Sequence, residues 1–296
     1  MTLSAPLLEA LLAAGLDPDH VAEVAQRALD EDLMGGVDVT SVATVPFDQE
    51  GVADIVARQP GVVAGLPVAA AVFELAADDD IRVSLPRADG DSVQKGDVVL
   101  TVTGLTRTLL TAERSALNIA CHLSGVATQT RRWVDAVAGT KATILDTRKT
   151  TPGLRALEKY AVRCGGGSGY RMGLSDAAMV KDNHVVAAGG ITEAYDAIRA
   201  TFPDVPVEVE CDSVAQVVEA ITVGADLLLL DNMTTAQLRE CVRVADGRAR
   251  LEASGGLTLE RAREVAETGV DYLSVGALTH SAPVLDLGFD LRPREV

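Results

Sequence analysis

Six short apolar runs between Ile144 and Gly276 constrain the fold of this chain most, because each ends on a polar or glycine-rich signature. Stretches with helical periodicity separate the runs, so the order is strand, polar ending and helix, repeated. Consecutive parallel strands need crossovers of this kind, and a parallel barrel collects the carboxyl ends of its strands at one rim. The runs are Ile144-Leu-Asp-Thr-Arg-Lys149, Ala178-Met-Val-Lys181, Val207-Glu-Val-Glu210, Leu227-Leu-Leu-Leu-Asp231, Leu251-Glu-Ala-Ser-Gly-Gly256 and Tyr272-Leu-Ser-Val-Gly276. We therefore predict an α/β fold with its chemistry on one rim.

The first hundred residues lack this repeat and predict a separate, small α+β domain. Apolar residues on one face indicate helices over Leu7–Ala14 and Val21–Leu33, and Val52–Ala57 has the pattern of a strand. A long helix, with Thr111 as its N-cap, is predicted over Thr111–Ala138 and links the two domains. The helices predicted between the later strands are Thr192–Ala200, Ser213–Val223, Thr234–Val244 and Leu259–Thr268.

Composition excludes several classes of protein. The net charge of −17 disfavours nucleic acid as a partner, because phosphate backbones need a cationic surface. No apolar run approaches the roughly 20 residues that span a bilayer, and the N-terminal residues lack the basic flank of a signal peptide. We therefore expect a cytoplasmic protein without a membrane partner. The four cysteines and four histidines show no metal-ligand spacing, and buried free thiols are the favoured interpretation of the cysteines.

Basic residues concentrate in the middle of this acidic chain, where residues 101–200 carry 13 basic and 8 acidic side chains. Arg148 and Lys149 leave a predicted strand together and form a candidate anion clamp, to which Arg171 and Lys181 add two cations. A solvated loop is the alternative for Arg148 and Lys149. A structural salt bridge is the alternative for Lys181, since an uncompensated ammonium at the end of an apolar strand is costly.

Carboxylates and glycines end the later strands. Glu210 and Asp231 suit binding of Mg²⁺, sugar hydroxyls or a developing positive charge, although Asp231 with Asn232 is also a candidate helix cap. Glu208 points to the same strand face as Glu210, and one of the two is a candidate buried partner for a lysine. Glycines in Ser254-Gly255-Gly256 and Val275-Gly276-Ala277 let backbone N–H groups approach a phosphate, at the end of a barrel where phosphate often binds.

The glycine run Gly165–Gly169 is either a mobile flap or a plain connector. Taken together, the strand endings predict a substrate pair of a phosphorylated sugar and a small acid. Two further hypotheses stay open at this point. Lys181 on a barrel strand is a candidate Schiff-base lysine of an aldolase-type lyase, and a binding protein that only senses a phosphorylated sugar needs the same cradle.

Several of these segments together resemble the quinolinate phosphoribosyltransferase family, also called carboxylating nicotinate-nucleotide pyrophosphorylase. The matching segments are Asp146-Thr-Arg-Lys-Thr-Thr-Pro-Gly-Leu-Arg155, Leu157-Glu-Lys-Tyr-Ala-Val162, Lys181-Asp-Asn-His184, Leu229-Leu-Asp-Asn232, Glu252-Ala-Ser-Gly-Gly256 and Val270-Asp-Tyr-Leu-Ser-Val-Gly-Ala277. The resemblance implies an incomplete α/β barrel of the type II phosphoribosyltransferase kind over residues 113–282. It also implies an N-terminal α/β sandwich domain over residues 1–112, with the C-terminal tail 283–296 as a candidate addition.

The implied reaction joins quinolinate to phosphoribosyl pyrophosphate with Mg²⁺ and gives nicotinate mononucleotide, pyrophosphate and carbon dioxide, a step of NAD biosynthesis. The implied assembly is a homodimer with shared active sites, or a higher assembly of such dimers, in which Arg107 reaches into the partner's site.

The resemblance also implies the roles of individual residues. Lys149, Glu210 and Asp231 are the implied catalytic residues, with Lys149 on the pyrophosphate donor and the two carboxylates on ribose hydroxyls and Mg²⁺, which is held mostly through the substrate. The implied substrate-binding residues are Arg107, Thr147, Arg148, Lys149, Tyr170, Arg171, Lys181, Glu210, Asp231, Ser254, Gly255, Gly256, Val275, Gly276 and Ala277.

The chain departs from the family pattern at one point. The family usually has Asn-His-Arg after the glycine run, where the histidine contacts quinolinate, whereas this chain has Gly169-Tyr170-Arg171. A tyrosine donates one hydrogen bond but is neutral at pH 7. The alternative function is therefore that of a related phosphoribosyltransferase acting on a different aromatic carboxylic acid.

Overall fold

The computed structural model describes residues 3–77 and 81–293, and the side chain of residue 293 is not described. The chain divides into two compact units, the first formed by the described residues among 1–129, 151–166 and 281–296, and the second by residues 130–150 and 167–280. The helices and strands in chain order are α1 (Ala5–Ala13), α2 (Pro18–Leu33), α3 (Val39–Thr44), β1 (Glu50–Ala57), β2 (Gly61–Val62), α4 (Leu66–Ala76), β3 (Arg82–Ser84), β4 (Ser92–Val93), β5 (Val98–Leu105), α5 (Thr106–Ala136), β6 (Thr143–Leu145), α6 (Arg155–Cys164), β7 (Ala178–Val180), α7 (Asp182–Ala188), α8 (Ile191–Thr201), β8 (Val207–Cys211), α9 (Val214–Thr222), β9 (Leu227–Asp231), α10 (Thr235–Ala245), β10 (Arg250–Ser254), α11 (Leu259–Ala266), β11 (Tyr272–Ser274), α12 (Ala277–His280) and β12 (Leu287–Pro293).

The first unit is built on an antiparallel sheet with the strand order β12-β1-β5-β3 in the described residues. Helix α4 packs against β5, and α1 and α2 pack against α4. Phe73 of α4 is fully buried and stacks on Phe289 of β12 with 6.0 Å between ring centroids. The C-terminal strand therefore completes both the sheet and the core of this unit. This arrangement of helices on a sheet is the expected α/β sandwich.

The second unit contains, within the described residues, a sheet of six parallel strands in the order β6-β11-β10-β9-β8-β7. All six apolar runs of the sequence form these strands, so the prediction of a repeated strand and helix pattern is confirmed. Leu228 and Leu230 of the central strand β9 are fully buried, as expected for a parallel sheet that is covered on both faces. Among the described residues β6 and β7 are the edge strands and do not pair with each other, so the barrel is incomplete.

The helices between the later strands are amphipathic in the way that the sequence predicts. In α10 the buried residues Leu238, Cys241 and Ala245 lie three and four positions apart, so one stripe faces the sheet. Thr234 caps this helix through a capping box with Gln237, as the predicted start of the helix requires.

Two predicted boundaries differ from the structure. The long helix α5 begins at Thr106 and not at the predicted N-cap Thr111, because β5 ends at Leu105 and the helix follows without a loop. The predicted domain boundary after residue 112 falls inside this unbroken helix, and α6 also belongs to the first unit. Of the tail 283–296, residues 287–293 form β12 and pair with β1, while residues 294–296 lie outside the described residues.

The described part of the chain contains no helix that is both long and apolar enough to cross a membrane. The cytoplasmic location stays a prediction of the sequence. All four cysteines are free thiols, and burial is confirmed for Cys211 and Cys241 but wrong for Cys121 and Cys164, which are partly exposed.

Candidate active site

Four predicted site residues lie on one face of the parallel sheet, at its carboxyl edge. Strand registers align Met179 with Glu208, Glu210 with Leu229, and Ser254 with Asp231. Side chains two positions apart on a strand share a face, and laterally paired residues do too. Lys181, Glu210, Asp231 and Ser254 therefore share the inner face of the barrel. The prediction that these strand endings meet at one rim is confirmed for this set.

Glu210, Asp231 and Lys181 also share one electrostatic environment. Burial raises the pKa of Glu210, the negative charge of Asp231 raises it further, and the positive charge of Lys181 opposes both effects. Two carboxylates with hard oxygen ligands and one nearby cation can hold ribose hydroxyls together with a magnesium ion that is bound mainly to substrate phosphates. The described residues contain no group of three or more His, Cys, Asp or Glu side chains that could hold a metal ion.

The helix-cap interpretation of Asp231 and Asn232 is wrong. The cap of the following helix is Thr234, and Asn232 instead adopts a left-handed backbone with φ of 54°. The Asn232 side-chain amide donates a hydrogen bond of 2.7 Å to Asp231 Oδ2. Asn232 thereby orients the Asp231 carboxylate, a role that the sequence did not reveal.

The segment after β6 holds the two adjacent cations in different surroundings. The backbone N–H of Lys149 donates to Thr147 Oγ1 at 3.0 Å, and Thr279 Oγ1 donates to the Lys149 carbonyl at 2.8 Å. Lys149 is exposed, whereas Arg148 is partly buried and its Nε atom is buried without a partner among the described residues. A solvated loop is therefore the wrong interpretation for Arg148, whose buried Nε has a free donor for a ligand.

The glycine-rich endings of β10 and β11 make tight turns beside these groups. Gly255 and Gly256 both have left-handed backbones, with φ of 82° and 58°. A Cβ atom on Gly255 would lie 2.9 Å from the Asn232 nitrogen, and one on Gly276 would lie 3.0 Å from Lys149 Cδ. A side chain at Gly255 would clash with the Asn232 backbone, and one at Gly276 would push the Lys149 side chain aside. Val275 and Ala277 flank Gly276, and α12 begins at Ala277.

Beneath the rim, the barrel interior holds a group of buried polar side chains. Glu208 is fully buried and Glu252 is 4% exposed. Burial raises the pKa of Glu208 and the Glu252 carboxyl raises it further, while burial raises the pKa of Glu252. The Arg171 charge has the opposite effect on the Glu208 pKa. Glu208 thus has a second carboxyl and an arginine as its neighbours, whereas the charge of Lys181 acts on Glu210, the other candidate partner for a lysine.

Tyr170 extends into this interior. Its hydroxyl is buried and has no hydrogen-bond partner among the described residues. The pKa of Tyr170 is raised to about 12. Burial is the largest cause, and the negative charges of Glu208 and Glu252 raise the pKa further. Arg171, the next residue, is 8% exposed and donates from Nε to the Gly173 carbonyl at 2.8 Å.

A cavity of about 580 Å³ lies beside the edge strand β7 and includes Arg171 in its wall. Its other polar lining residue is His184, and the remainder is apolar, with Met179 of β7 and alanines of α7 and α8. A mostly apolar cavity with a few cationic or hydrogen-bonding groups is typical of a site for a flat organic anion. The salt-bridge hypothesis for Lys181 is not supported, since this residue is exposed and forms no ion pair with another described residue.

The glycine run is tied to the sheet at its end. Ser168 donates from its backbone N–H to the Ile144 carbonyl at 2.9 Å, and Asp146 donates in the same way to the Ser168 carbonyl at 3.0 Å. Ser168 thus extends the sheet beside β6, which favours the connector interpretation for this part of the run. Gly169 lies close to Asp146, because a Cβ atom there would be 2.9 Å from Asp146 Oδ2.

Arg107 belongs to the first unit. Its Nε donates to the Val45 carbonyl at 2.7 Å and its Nη2 to the Val42 carbonyl at 3.0 Å, so the guanidinium binds the last turn of α3. Cations interact favourably with the carbonyls at a helix C-terminus.

Sequence reasoning missed Glu252, Ser274, Asn232 and Thr279. Glu252 had a signal, because it is a charge between apolar neighbours within a strand, as Glu208 is in β8. Ser274 and Thr279 had none, since small hydroxyl residues occur throughout the chain and only the fold brings them to the site.

Comparisons with known proteins match most of this chain. The family model for the quinolinate phosphoribosyl transferase N-terminal domain matches residues 38–124, and the model for its C-terminal domain matches residues 126–290. The nicotinate-nucleotide pyrophosphorylase [carboxylating] of Mycobacterium leprae is 51% identical over 277 residues, which cover 92% of this chain and 98% of that protein. The probable enzyme of the same name from Synechocystis is 43% identical, and the match covers 90% of each chain.

Solved structures of proteins from the same family have the same fold as this chain. The crystal structure of NadC from Streptococcus pyogenes superposes with a TM-score of 0.90 at 39% identity and covers 95% of this chain and 99% of that one. The nicotinate-nucleotide pyrophosphorylase of Francisella tularensis gives a TM-score of 0.89 at 35% identity, with 93% and 96% covered. With the N-terminal and C-terminal family models matched in order over residues 38–124 and 126–290, this chain belongs to the quinolinate phosphoribosyl transferase family.

Proposed function

We propose that this chain transfers the phosphoribosyl group of phosphoribosyl pyrophosphate to quinolinate and releases pyrophosphate and carbon dioxide, giving nicotinate mononucleotide for NAD biosynthesis. The observation that carries the proposal is the shared inner face of the barrel, where Lys181, Glu210, Asp231 and Ser254 lie together at the carboxyl edge. Relatives that are 39 to 51% identical over most of the chain are named for this reaction.

The acid is held by cations at the rim. Arg148, with its buried and unpartnered Nε, and Arg171, in the wall of the apolar cavity, each offer a planar fork for a carboxylate, and Lys181 adds a point charge. Thr147 supports the same segment through its contact with the Lys149 backbone. Two arginine forks and one lysine suit a substrate with two carboxylates on a flat ring.

The phosphoribosyl donor is held by the other strand endings. The glycines of Ser254-Gly255-Gly256 and Val275-Gly276-Ala277 let backbone N–H groups approach the 5′-phosphate, and the Lys149 ammonium binds the pyrophosphate. Glu210 and Asp231 bind the ribose hydroxyls. The same carboxylates, with their oxygen ligands, fit a magnesium ion, which supplies charge neutralisation of the pyrophosphate when bound.

The chemical step follows from these charges. Breaking the bond between ribose C1 and pyrophosphate develops positive charge on the sugar, which the carboxylates of Glu210 and Asp231 stabilise. Lys149 stabilises the negative charge that develops on the leaving group. The ring nitrogen of the acid then takes the place of pyrophosphate at C1. Loss of the adjacent carboxylate as carbon dioxide leaves an electron pair on that ring carbon, which the pyridinium charge stabilises and which takes up a proton from solvent. Positioning of the two substrates is the main contribution of the protein.

The test is formation of nicotinate mononucleotide from quinolinate, phosphoribosyl pyrophosphate and Mg²⁺, with release of carbon dioxide measured in parallel. We expect Lys149→Met to lower kcat by about 100-fold, or ~2.7 kcal/mol. Lys141→Met is the matched control, because Lys141 precedes the same strand and pairs with Asp271 on the surface. Absence of product from the unmodified protein would contradict the proposal, and phosphoribosyl pyrophosphate binding without turnover of any acid would favour a sensor.

The other aromatic acceptor suggested by Tyr170 is not favoured, given the names of these relatives. Measuring kcat/KM for quinolinate and for other aromatic carboxylic acids tests which acid is the acceptor. A higher kcat/KM for another acid than for quinolinate would favour that acid as the acceptor.

We also propose that the protein acts as a homodimer with Arg107 of each copy serving the other copy's site. Support comes from exposed apolar side chains near the Arg107 contacts: Met34, Val39 and Phe47 are 88%, 73% and 75% exposed. Arg107→Ala and Lys149→Met should each have strongly reduced activity. Mixing and reassociating the two variants should restore up to about a quarter of the activity, since one of the two sites in each hybrid dimer is intact. No recovery, or a monomer by light scattering, would contradict the shared site.

A further inference from the structure

An imidazole closes the turn, residues 181–184, through which the chain leaves β7 and enters α7. The backbone N–H of Lys181 donates to His184 Nδ1 at 3.0 Å. In a capping box, the side chain at the third helical position accepts from the N–H of the cap residue, and that side chain is usually Glu or Gln. Here His184 holds this position in α7. Lys181 and His184 are both exposed, so this bond fixes a turn that core packing does not hold.

The bond also fixes the state of the ring. A backbone N–H donates only to a ring nitrogen that carries no proton, so neutral His184 has its proton on Nε2. The same ring lines the cavity that has Arg171 in its wall. His184 therefore has two candidate roles, which are to contact the acid through Nε2–H or to position Lys181 through Nδ1.

The turn lies beside the carboxylate of Glu210. Parallel pairing of β7 with β8 aligns Val180 with Val209, so Lys181 follows in register with Glu210. Burial raises the pKa of Glu210, whereas the Lys181 charge and a hydrogen bond from the Asp182 backbone N–H lower it. Consecutive residues of one turn thus serve two parts of the candidate site, since the Lys181 ammonium is a ligand for the acid and the Asp182 N–H contacts Glu210.

The position of Lys181 depends on its backbone. Its side chain is exposed and forms no ion pair with another described residue. A lysine carries its charge on a flexible four-carbon stem, so an unpaired ammonium is directed mainly by the backbone that carries it. That backbone is extended, with φ of −112° and ψ of 169°, and the bond to His184 starts from its N–H group.

We propose that His184 is a positioning residue for the transfer reaction: its Nδ1 atom holds the Lys181 backbone, which directs the Lys181 ammonium to the acid and keeps the Asp182 N–H on the Glu210 carboxylate. His184 then acts through the turn and does not bind the acid. The inference rests on the proposed function for the identity of the substrates. The hydrogen bond that carries it is independent of that function.

His184→Leu and His184→Gln form the test pair, because a glutamine amide oxygen accepts the same N–H. Gln237 does this in α10, where its Oε1 atom accepts from the Thr234 N–H at 2.9 Å. His184→Leu should raise the KM for quinolinate and for phosphoribosyl pyrophosphate by about three- to tenfold each, as expected for the loss of one hydrogen bond. His184→Gln should keep both KM values within about twofold of those of the unmodified protein.

Gln237→Leu is the matched control, since it removes the same kind of bond from α10. We expect it to leave the KM for quinolinate within about twofold of the unmodified value, because its turn does not carry Lys181. An equal rise in this control would mean that loss of any helix cap has the same effect, which would contradict a specific role for His184. A His184→Gln protein as defective as His184→Leu would also contradict it.

A Lys181→Ala background separates positioning from direct contact with the acid. In that background His184→Leu should no longer change the KM for quinolinate, because the group that it positions is absent. It should still raise the KM for phosphoribosyl pyrophosphate, since Asp182 acts through its backbone. If His184→Leu weakens the use of quinolinate equally with and without Lys181, the ring contacts the acid itself and the proposal is wrong.

Hydrogen exchange of the Lys181 amide, measured by NMR without substrate, tests the contact alone. Exchange should be about three- to tenfold faster in His184→Leu than in the unmodified protein, and His184→Gln should restore the slow rate. Equal rates in all three proteins would show that the bond does not protect the turn and would overturn the inference. Absence of nicotinate mononucleotide from the unmodified protein would contradict the proposed function, whereas the exchange rates would still decide on His184.

Discussion

The side chain of Lys149 lies against Gly276, so closely that a Cβ atom on the glycine would be 3.0 Å from the lysine Cδ. The same Cβ atom would lie 3.3 Å from His280 Nε2. The end of β11 therefore sets the path of a lysine that follows β6, its neighbour in the sheet. A side chain at residue 276 would therefore require the Lys149 side chain to move.

Gly276→Ala should displace Lys149 and weaken the pyrophosphate contact. We expect the KM for phosphoribosyl pyrophosphate to rise about tenfold, equivalent to ~1.4 kcal/mol, with a smaller change for quinolinate. Gly276 does not have a left-handed backbone, so the effect is steric. Steady-state kinetics with each substrate varied in turn check the result, and an equal rise in both KM values would argue against a local displacement of Lys149.

Gly255→Ala should destabilise the protein by about 2–4 kcal/mol, because left-handed backbone strain adds to a clash with Asn232. The matched control is Gly247→Ala, which has a similar φ of 74° but open space around the missing Cβ atom. We expect this control to lose only about 1 kcal/mol from backbone strain. Urea unfolding measures both, and equal losses would show that contact with Asn232 contributes nothing.

Asp38→Ala should lower stability by about 1 kcal/mol at neutral pH, because Asp38 caps α3 through the N–H groups of Thr40 and Ser41. Hydrogen bonds from Ser41 lower the Asp38 pKa in the folded state. A lowered folded pKa means that the stabilisation is present above the unfolded value, ~3.9, and is lost as pH falls through the folded value. The difference between the two proteins should therefore shrink below about pH 4, as urea unfolding over a pH series would show. A difference that is constant down to pH 2 would contradict the ionic cap.

Asp231→Asn should raise the Mg²⁺ concentration that gives half-maximal activity by about tenfold, since one of two carboxylate ligands is lost. Chelation of Mg²⁺ should abolish turnover, and addition of Mg²⁺ should restore it. Asp226→Asn is the control, because Asp226 precedes the same strand at its opposite end. Activity that persists in the presence of a chelator would contradict the proposed role of Mg²⁺.

The sequence determined the repeat of the second unit, because apolar runs separated by amphipathic stretches leave few packings other than parallel strands covered by helices. The polar strand endings followed from that topology, since parallel strands send all their carboxyl ends to one edge. Lys181, Glu210, Asp231 and Ser254 could therefore be placed together before any contact was known. The start of α5 could not be read in the same way: Thr111 is a good local cap, but β5 runs directly into the helix five residues earlier.

Only the tertiary structure decided which neighbours these residues have. The path of Lys149 over Gly276, the orientation of Asp231 by Asn232 and the enclosure of Tyr170 with Glu208 and Glu252 all join segments that are adjacent in space. Periodicity in a sequence fixes the face on which a side chain lies, because it follows from backbone geometry. The partner on that face comes from another strand, and its identity depends on register and packing that local patterns do not contain.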